Sequence, residues 1–343
     1  MIARMTAHPS IDMRAWDDAR LYTLCNASGM RIDISDLGAT LVSWHAPDRT
    51  GRFAEILLGH DTPGEYVNGS AFMGAIIGRW ANRIRDARFT LDGIVHEVER
   101  NEGANHLHGG SAGFHRQKWR AQEAHGALVM TLRSPAGAGG FPGNLDVTVR
   151  YALDDDGTLS IDYEARTDAP TPVNLARQPH ESRVLQSERE RWRGSEYPRT
   201  RNRDRSGHVS CDRCDFDSRR ARRRDEQRIR FTRASNDRRA SRCFPRAAEA
   251  RRRLRSLLRA RRHERAAQGR GTLFDPSSGR ELSVATDARG LQLYSGNYLE
   301  GVPARDGSRY RKQAGLCLEA GGFPNEINMQ NGHAVLRPGE IYR

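Results

Sequence analysis

Lysine is almost missing from this 343-residue sequence: Lys118 and Lys312 are the only two among 56 lysines and arginines. The positive charge is therefore arginine, as GC-rich coding favours, and not the mixture usual in an evolved phosphate-binding arm. Long apolar runs are missing too. None approaches the roughly 18 residues of a membrane-spanning helix. Cysteine is scarce, and Cys25, Cys211, Cys214, Cys243 and Cys317 do not make the disulfide framework of a small secreted domain. The opening MIARMTAHPSIDMRAWDD lacks the apolar stretch of a secretory signal. A cytoplasmic protein with no membrane partner is expected.

The formal charge of +13 would suggest a polyanion partner if it were spread evenly. Residues 177 to 270 hold 31 Arg against 13 acidic residues, a net +18, so the rest of the chain carries about −5. Outside that segment the composition is that of an ordinary soluble enzyme. Inside it, alternation is lost, large apolar residues are few, and runs such as RRRLRSLLRARRHERA (251 to 266) appear. Taken literally, such a segment buries too little apolar surface to offset its ordering entropy and would be disordered. A disordered run of this length inside a compact domain is itself anomalous.

Elsewhere the dominant period is two. MRIDIS (30 to 35) puts Met30, Ile32 and Ile34 on one face and Arg31, Asp33 and Ser35 on the other, the pattern of a half-buried strand. Leu145, Val147, Val149, Tyr151 and Leu153 alternate, a turn follows at 154 to 157, and Leu159, Ile161 and Tyr163 alternate again, which predicts a hairpin. Short strands between Gly, Asn and Asp turns, with no sustained helical period, predict an all-β fold, a large antiparallel sandwich. The same texture returns at 272 and runs to the end, so 1 to 343 reads as one domain interrupted at 177 to 270.

Six motifs stand in a telling order: GAIIGRWANRI (74 to 84), NHLHGG (105 to 110), TPVNL (171 to 175), GLQLYSGNYLEG (290 to 301), GLCLEAGGFPN (315 to 325) and LRPGE (336 to 340). Jointly they resemble the aldose 1-epimerases, the galactose mutarotases. The resemblance implies a β-sandwich of the galactose-mutarotase type that opens a pyranose, lets C1 rotate and recloses it, interconverting α and β anomers without metal or cofactor. That chemistry needs a base for the C1 hydroxyl proton and an acid for the ring oxygen. By resemblance Glu319 is the base, His108 and Arg83 hold the sugar's hydroxyls and ring oxygen with Asn82 beside them, and Gln292 is a substrate-binding amide. Taken singly, Arg83 fits a surface ion pair, His108 a turn residue and Gln292 an exposed amide. Glu319 differs, because a carboxylate after the apolar run Leu316, Cys317, Leu318 lies in a cleft or is costly. The implied partner is a small sugar, with the chain a monomer or homodimer.

Two family segments are absent. After TPVNL the family has a TNHSYFNL-like segment carrying the general-acid histidine, where this chain reads ARQPHESRVLQSER. Later a GYDHNFVL-like segment, whose Asp binds substrate, is replaced by RRLRSLLRARRHE. His180 is a weak substitute acid, since nothing around it matches. Read one nucleotide later, however, codons from His180 permit Thr-Asn-His-Gly-Tyr-Phe-Asn-Leu-Ser-Gly, with the His codon across Ser182 and Arg183. The same shift lets 208 to 214 encode Thr-Tyr-Leu-Val-Thr-Asp and 253 to 262 encode Gly-Tyr-Asp-His-x-Tyr-Val-Leu-Asp. Three family segments in one frame and in order make 177 to 270 a frame-shifted translation, restored before GTLFDPSSG. On that reading this exact chain is impaired. The CxxC at Cys211 and Cys214, with His208 near and only Cys243 as a distant further ligand, does not complete a zinc site, so no metal is expected. Two alternatives stay open: a hexose-phosphate epimerase on the same fold, and a nucleic-acid-binding protein using the Arg-rich segment, whose affinity would fall steeply with salt.

Overall fold

The computed structural model describes residues 10–177, 180–181, 269–275, 277–329 and 334–343. Two antiparallel meanders form its body. One runs through Ser10–Trp16, Ala19–Cys25, Arg31–Ser35, Leu41–Pro47 and Phe53–Glu55, the other through Arg120–Ala124, Ala127–Ser134, Leu145–Leu153 and Leu159–Thr167. Their apolar faces share one core, in which Leu24, Ile32, Ile34, Leu41 and Trp44 of the first meet Leu128, Met130, Val147, Val149 and Tyr151 of the second. Burying such residues stabilises by about 1.5–3 kcal/mol each. The Tyr151 hydroxyl keeps a partner by donating to the Ala39 carbonyl at 2.7 Å across the core.

The hairpin at 145 to 163 forms as expected. Leu153 pairs with Leu159, Gly157 takes the left-handed conformation at φ 83°, and the alternating residues from Leu145 to Leu153 are buried. The strand Arg31–Ser35 differs from expectation. Ile32 and Ile34 are buried, but so are Asp33 and Ser35. Asp33 accepts a hydrogen bond from Thr23 Oγ1 at 2.6 Å and pairs with Arg14 and Arg31, both at 3.4 Å. Arginine stems thus roof the polar face, as long charged side chains do. Among the described residues the one α-helix is Pro63–Asn68, started by a capping box between Thr62 and Glu65 with Pro at its first turn.

A buried arginine joins the body to the smaller sheets. Arg79, 2 % exposed, donates from Nη1 to the Pro142 and Gly143 carbonyls (2.7 and 2.8 Å) and to Thr171 Oγ1 (3.0 Å). Its Nη2 donates to the Ser134 carbonyl and hydroxyl (3.1 and 2.8 Å) and to the Pro135 carbonyl (3.1 Å). Burial pulls the guanidinium down to about 10, against a small opposing pull from Asp168, so it stays charged at neutral pH. Arg79→Met strands four carbonyls at once. Hydrogen bonds to a charged group contribute about 1.5–3 kcal/mol each, so the variant is expected to lose at least about 3 kcal/mol in a urea titration, or to fail to fold.

Short pairs complete the rest: Arg83–Ile84 with His106–Leu107, Ile76–Ile77 with Ala176–Arg177, and Thr171–Pro172 with Val335–Leu336. The strand Leu316–Gly321 lies between His180–Glu181 and Gly290–Tyr294. Strand pairing thus reaches into both ends of the Arg-rich segment, since Gly269–Phe274 pairs with Glu281–Thr286. Its remainder, including Ser182, Cys211, Cys214, Cys243 and the run from 251 to 266, lies outside the described residues, and so does the expectation of disorder there. So does the side chain of His180.

Candidate active site

The site begins with two backbone positions in an uncommon conformation. Asn82 and His108 both have positive φ, 68° and 55°, a region that non-glycine residues enter only when their surroundings impose it. At His108 the cause is the turn that follows. Gly109 has φ 84°, and a Cβ there would stand 2.1 Å from the Gly78 carbonyl oxygen, so only glycine fits. This is why histidine precedes two glycines here.

Asn82 ties the cleft together. Its backbone N–H donates to His108 Nδ1 at 3.2 Å, and its carbonyl accepts from the His108 N–H at 3.3 Å. With Nδ1 accepting, the neutral ring carries its proton on Nε2. The Asn82 side chain accepts from the Arg83 N–H at 2.8 Å and donates through Nδ2 to Gln292 Oε1 at 3.0 Å. Gln292 stands directly opposite Glu319 in the antiparallel pair of Gly290–Tyr294 with Leu316–Gly321, so the two side chains share a face at about 5 Å between Cβ atoms. Glu319 is half-buried, beside buried Cys317 and Leu318. All five residues singled out from the sequence therefore come to one place.

Arg83 forms the ion pair that its surface reading allowed. Its Nε donates to Glu102 Oε2 at 2.6 Å and its Nη2 meets Glu102 Oε1, with both side chains about a third exposed. Glu102 was not legible as a site residue. Neither was Asn174 of TPVNL, which is the clamp beneath the cleft. Its Nδ2 donates to the Ala81 carbonyl at 2.9 Å, its Oδ1 accepts from Gly322 N–H at 2.8 Å, and its carbonyl accepts from Ala81 N–H at 2.7 Å. One side chain thus locks the Asn82 turn to the end of the Glu319 strand. Beyond that strand, buried Glu326 accepts from the Phe323 N–H at 2.9 Å and pairs with Arg289, whose guanidinium lies 5.7 Å from the Phe323 ring. This fixes the GGFPN turn.

Behind His108 the Phe72 ring packs against two histidines, with centroids 4.8 Å from His108 and 4.8 Å from His115. His115 is 4 % exposed, and neither ring nitrogen has a hydrogen-bond partner. Burial, with a smaller push from Arg116, lowers it to about 4 from an ordinary 6.5. Because the folded value is depressed, the unfolded chain binds the extra proton between pH 6.5 and 4, and stability falls as pH drops through that window. His115→Phe removes the titration and fills the same space. The variant should flatten the decline in thermal midpoint between pH 6.5 and 4, and an unchanged slope would contradict the assignment.

No group of three or more His, Cys, Asp or Glu side chains able to hold a metal occurs among the described residues, and no described helix is long and apolar enough to cross a membrane.

The family model for aldose 1-epimerase matches residues 20–343. The chain is 34 % identical over 340 residues to an aldose 1-epimerase of Escherichia coli K12, covering 94 % of this chain and 92 % of that one. It is 31 % identical over 323 residues to a galactose mutarotase of Sus scrofa, covering 91 % and 89 %. Among solved structures, an aldose epimerase homologue from C. elegans superposes with a TM-score of 0.67 at 21 % identity, over 94 % of this chain and 96 % of that one. A galactose 1-epimerase from Lactobacillus acidophilus gives 0.61 at 19 %, over 97 % and 96 %. The fold is the galactose-mutarotase sandwich, and the chain belongs to the aldose 1-epimerase family.

Proposed function

We propose that the cleft interconverts the α and β anomers of a free hexose, with Glu319 as base. Its carboxylate takes the C1 hydroxyl proton, the C1–O bond becomes a carbonyl, and the C1 to ring-oxygen bond breaks as an acid protonates that oxygen. After rotation about C1–C2 the ring oxygen adds to the other face of C1, and both protons return. His108 and Arg83 hold hydroxyls and the ring oxygen, while Asn82 and Gln292 complete the polar wall. The observation that carries this reading is the placement of Gln292 opposite Glu319 with Asn82 bridging to His108.

The acid, on the same reading, is the histidine written one nucleotide out of frame, and residues 177 to 270 are a frame-shifted stretch of an otherwise ordinary enzyme. The chain enters that stretch beside the proposed base, since His180 pairs with Cys317, two residues before Glu319 on its strand. The present chain is consequently slow or inactive. The test is exchange between anomeric H1 signals in NMR, with free and phosphorylated hexoses, for the present chain and for one read in the shifted frame. Acceleration with free hexose in the second supports the reading. Acceleration with hexose phosphate alone favours the phosphate alternative, and salt-sensitive nucleic-acid binding by the present chain would favour the other.

A further inference from the structure

We infer that Glu102 is a positioning residue of the cleft, fixing the plane of the Arg83 guanidinium for the sugar; this rests on the reading of Arg83 as a sugar-holding side chain. The contact is side-on and two-pronged, using Nε and Nη2 against the two carboxylate oxygens. A forked pair of this kind sets orientation as well as distance. Both partners are about a third exposed, so the pair adds little to folding stability, and its consequence is geometric.

The carboxylate is itself held by a turn closed on its own backbone. Glu102 N–H donates to the Asn105 carbonyl at 3.1 Å, and Asn105 N–H returns to the Glu102 carbonyl at 2.9 Å. Asn101 locks that turn to the next strand, its Nδ2 donating to the Leu107 carbonyl at 2.9 Å and its Oδ1 accepting from Leu107 N–H at 2.7 Å. Leu107 is the strand partner of Arg83. The turn that carries Glu102 and the strand that carries Arg83 are thus one hydrogen-bonded unit, so the two backbones keep a fixed separation.

Glu102→Gln keeps the shape but puts an amide N–H₂ against a guanidinium donor. In the full chain, the Kd for D-galactose, read by isothermal titration, should rise about tenfold, as when an orienting outer partner is lost. The thermal midpoint should stay unchanged. Added to Arg83→Lys, the same substitution should have no further effect. An unchanged or tighter Kd, or an equal loss in the Arg83→Lys background, would overturn the inference. If the starting chain binds no galactose, as loss of the substrate-binding Asp would itself bring about, the sugar reading passes to the chain read in the shifted frame, and Glu102 is judged without sugar. Phenylglyoxal should then modify Arg83, followed by peptide mass, faster in Glu102→Gln than in the starting chain, and equal rates would overturn the positioning role.

Discussion

A gene in which codons 180 to 270 are read one nucleotide later should yield a chain that mutarotates free hexose about 10²–10⁴-fold faster than the present sequence, the usual contribution of a positioned general acid. The residues proposed for the base side already stand together: Glu319 opposite Gln292, Asn82 bridging to His108, and Asn174 tying the Asn82 turn to the end of the Glu319 strand. By family resemblance the shifted frame supplies both the acid and a substrate-binding Asp. The chain also enters the Arg-rich segment along the edge of the Glu319 strand, with His180 and Glu181 paired to Cys317 and Leu316. The acid's share of the gain should appear in kcat, because an acid acts on the transition state, and the Asp's share in KM. Equal rates for the two chains would place the acid within the present sequence.

In the frame-restored chain, Glu319→Gln should lower kcat by about 10²–10⁴-fold with KM nearly unchanged. The amide keeps the size and can still accept a hydrogen bond, but it cannot take the C1 hydroxyl proton. The binding proposed for Arg83, His108 and Gln292 would be untouched, so the loss should fall on the chemical step. Glu319 is only half-buried, so the variant should melt with the starting protein. A variant that keeps its rate would move the base elsewhere in the cleft.

The sandwich was legible because its signal is local: residues two apart from Leu145 to Leu153 all face one core. That the five candidate residues would meet was legible only through a joint resemblance of motifs, since Gln292 and Asn82 are 210 positions apart and no spacing rule connects them. What stayed hidden depends on partners that only folding brings near. Asp33 and Ser35 read as a solvent face, yet Arg14 from another strand closes over Asp33. Arg79 stands in the same GRWANRI motif as Asn82 and Arg83, but its six hydrogen bonds make it a structural bolt buried away from solvent. The role of Asn174 as a clamp and the reach of Glu102 to Arg83 both follow from strand pairing. The short helix did leave a local mark, the Thr62 to Glu65 capping box, which is weak when only six residues follow it.

If one wall of this aldose 1-epimerase site is written in the neighbouring frame, the nucleotide sequence of codons 170 to 275 from the source strain will show it. Reading one nucleotide later should encode Thr-Asn-His-Gly-Tyr-Phe-Asn-Leu from codon 180 and Gly-Tyr-Asp-His from codon 253, bounded by a missing or extra base and its compensation before codon 271. Codons whose shifted reading yields neither segment would contradict it, and the Arg-rich stretch would then stand as a feature of the protein in its own right.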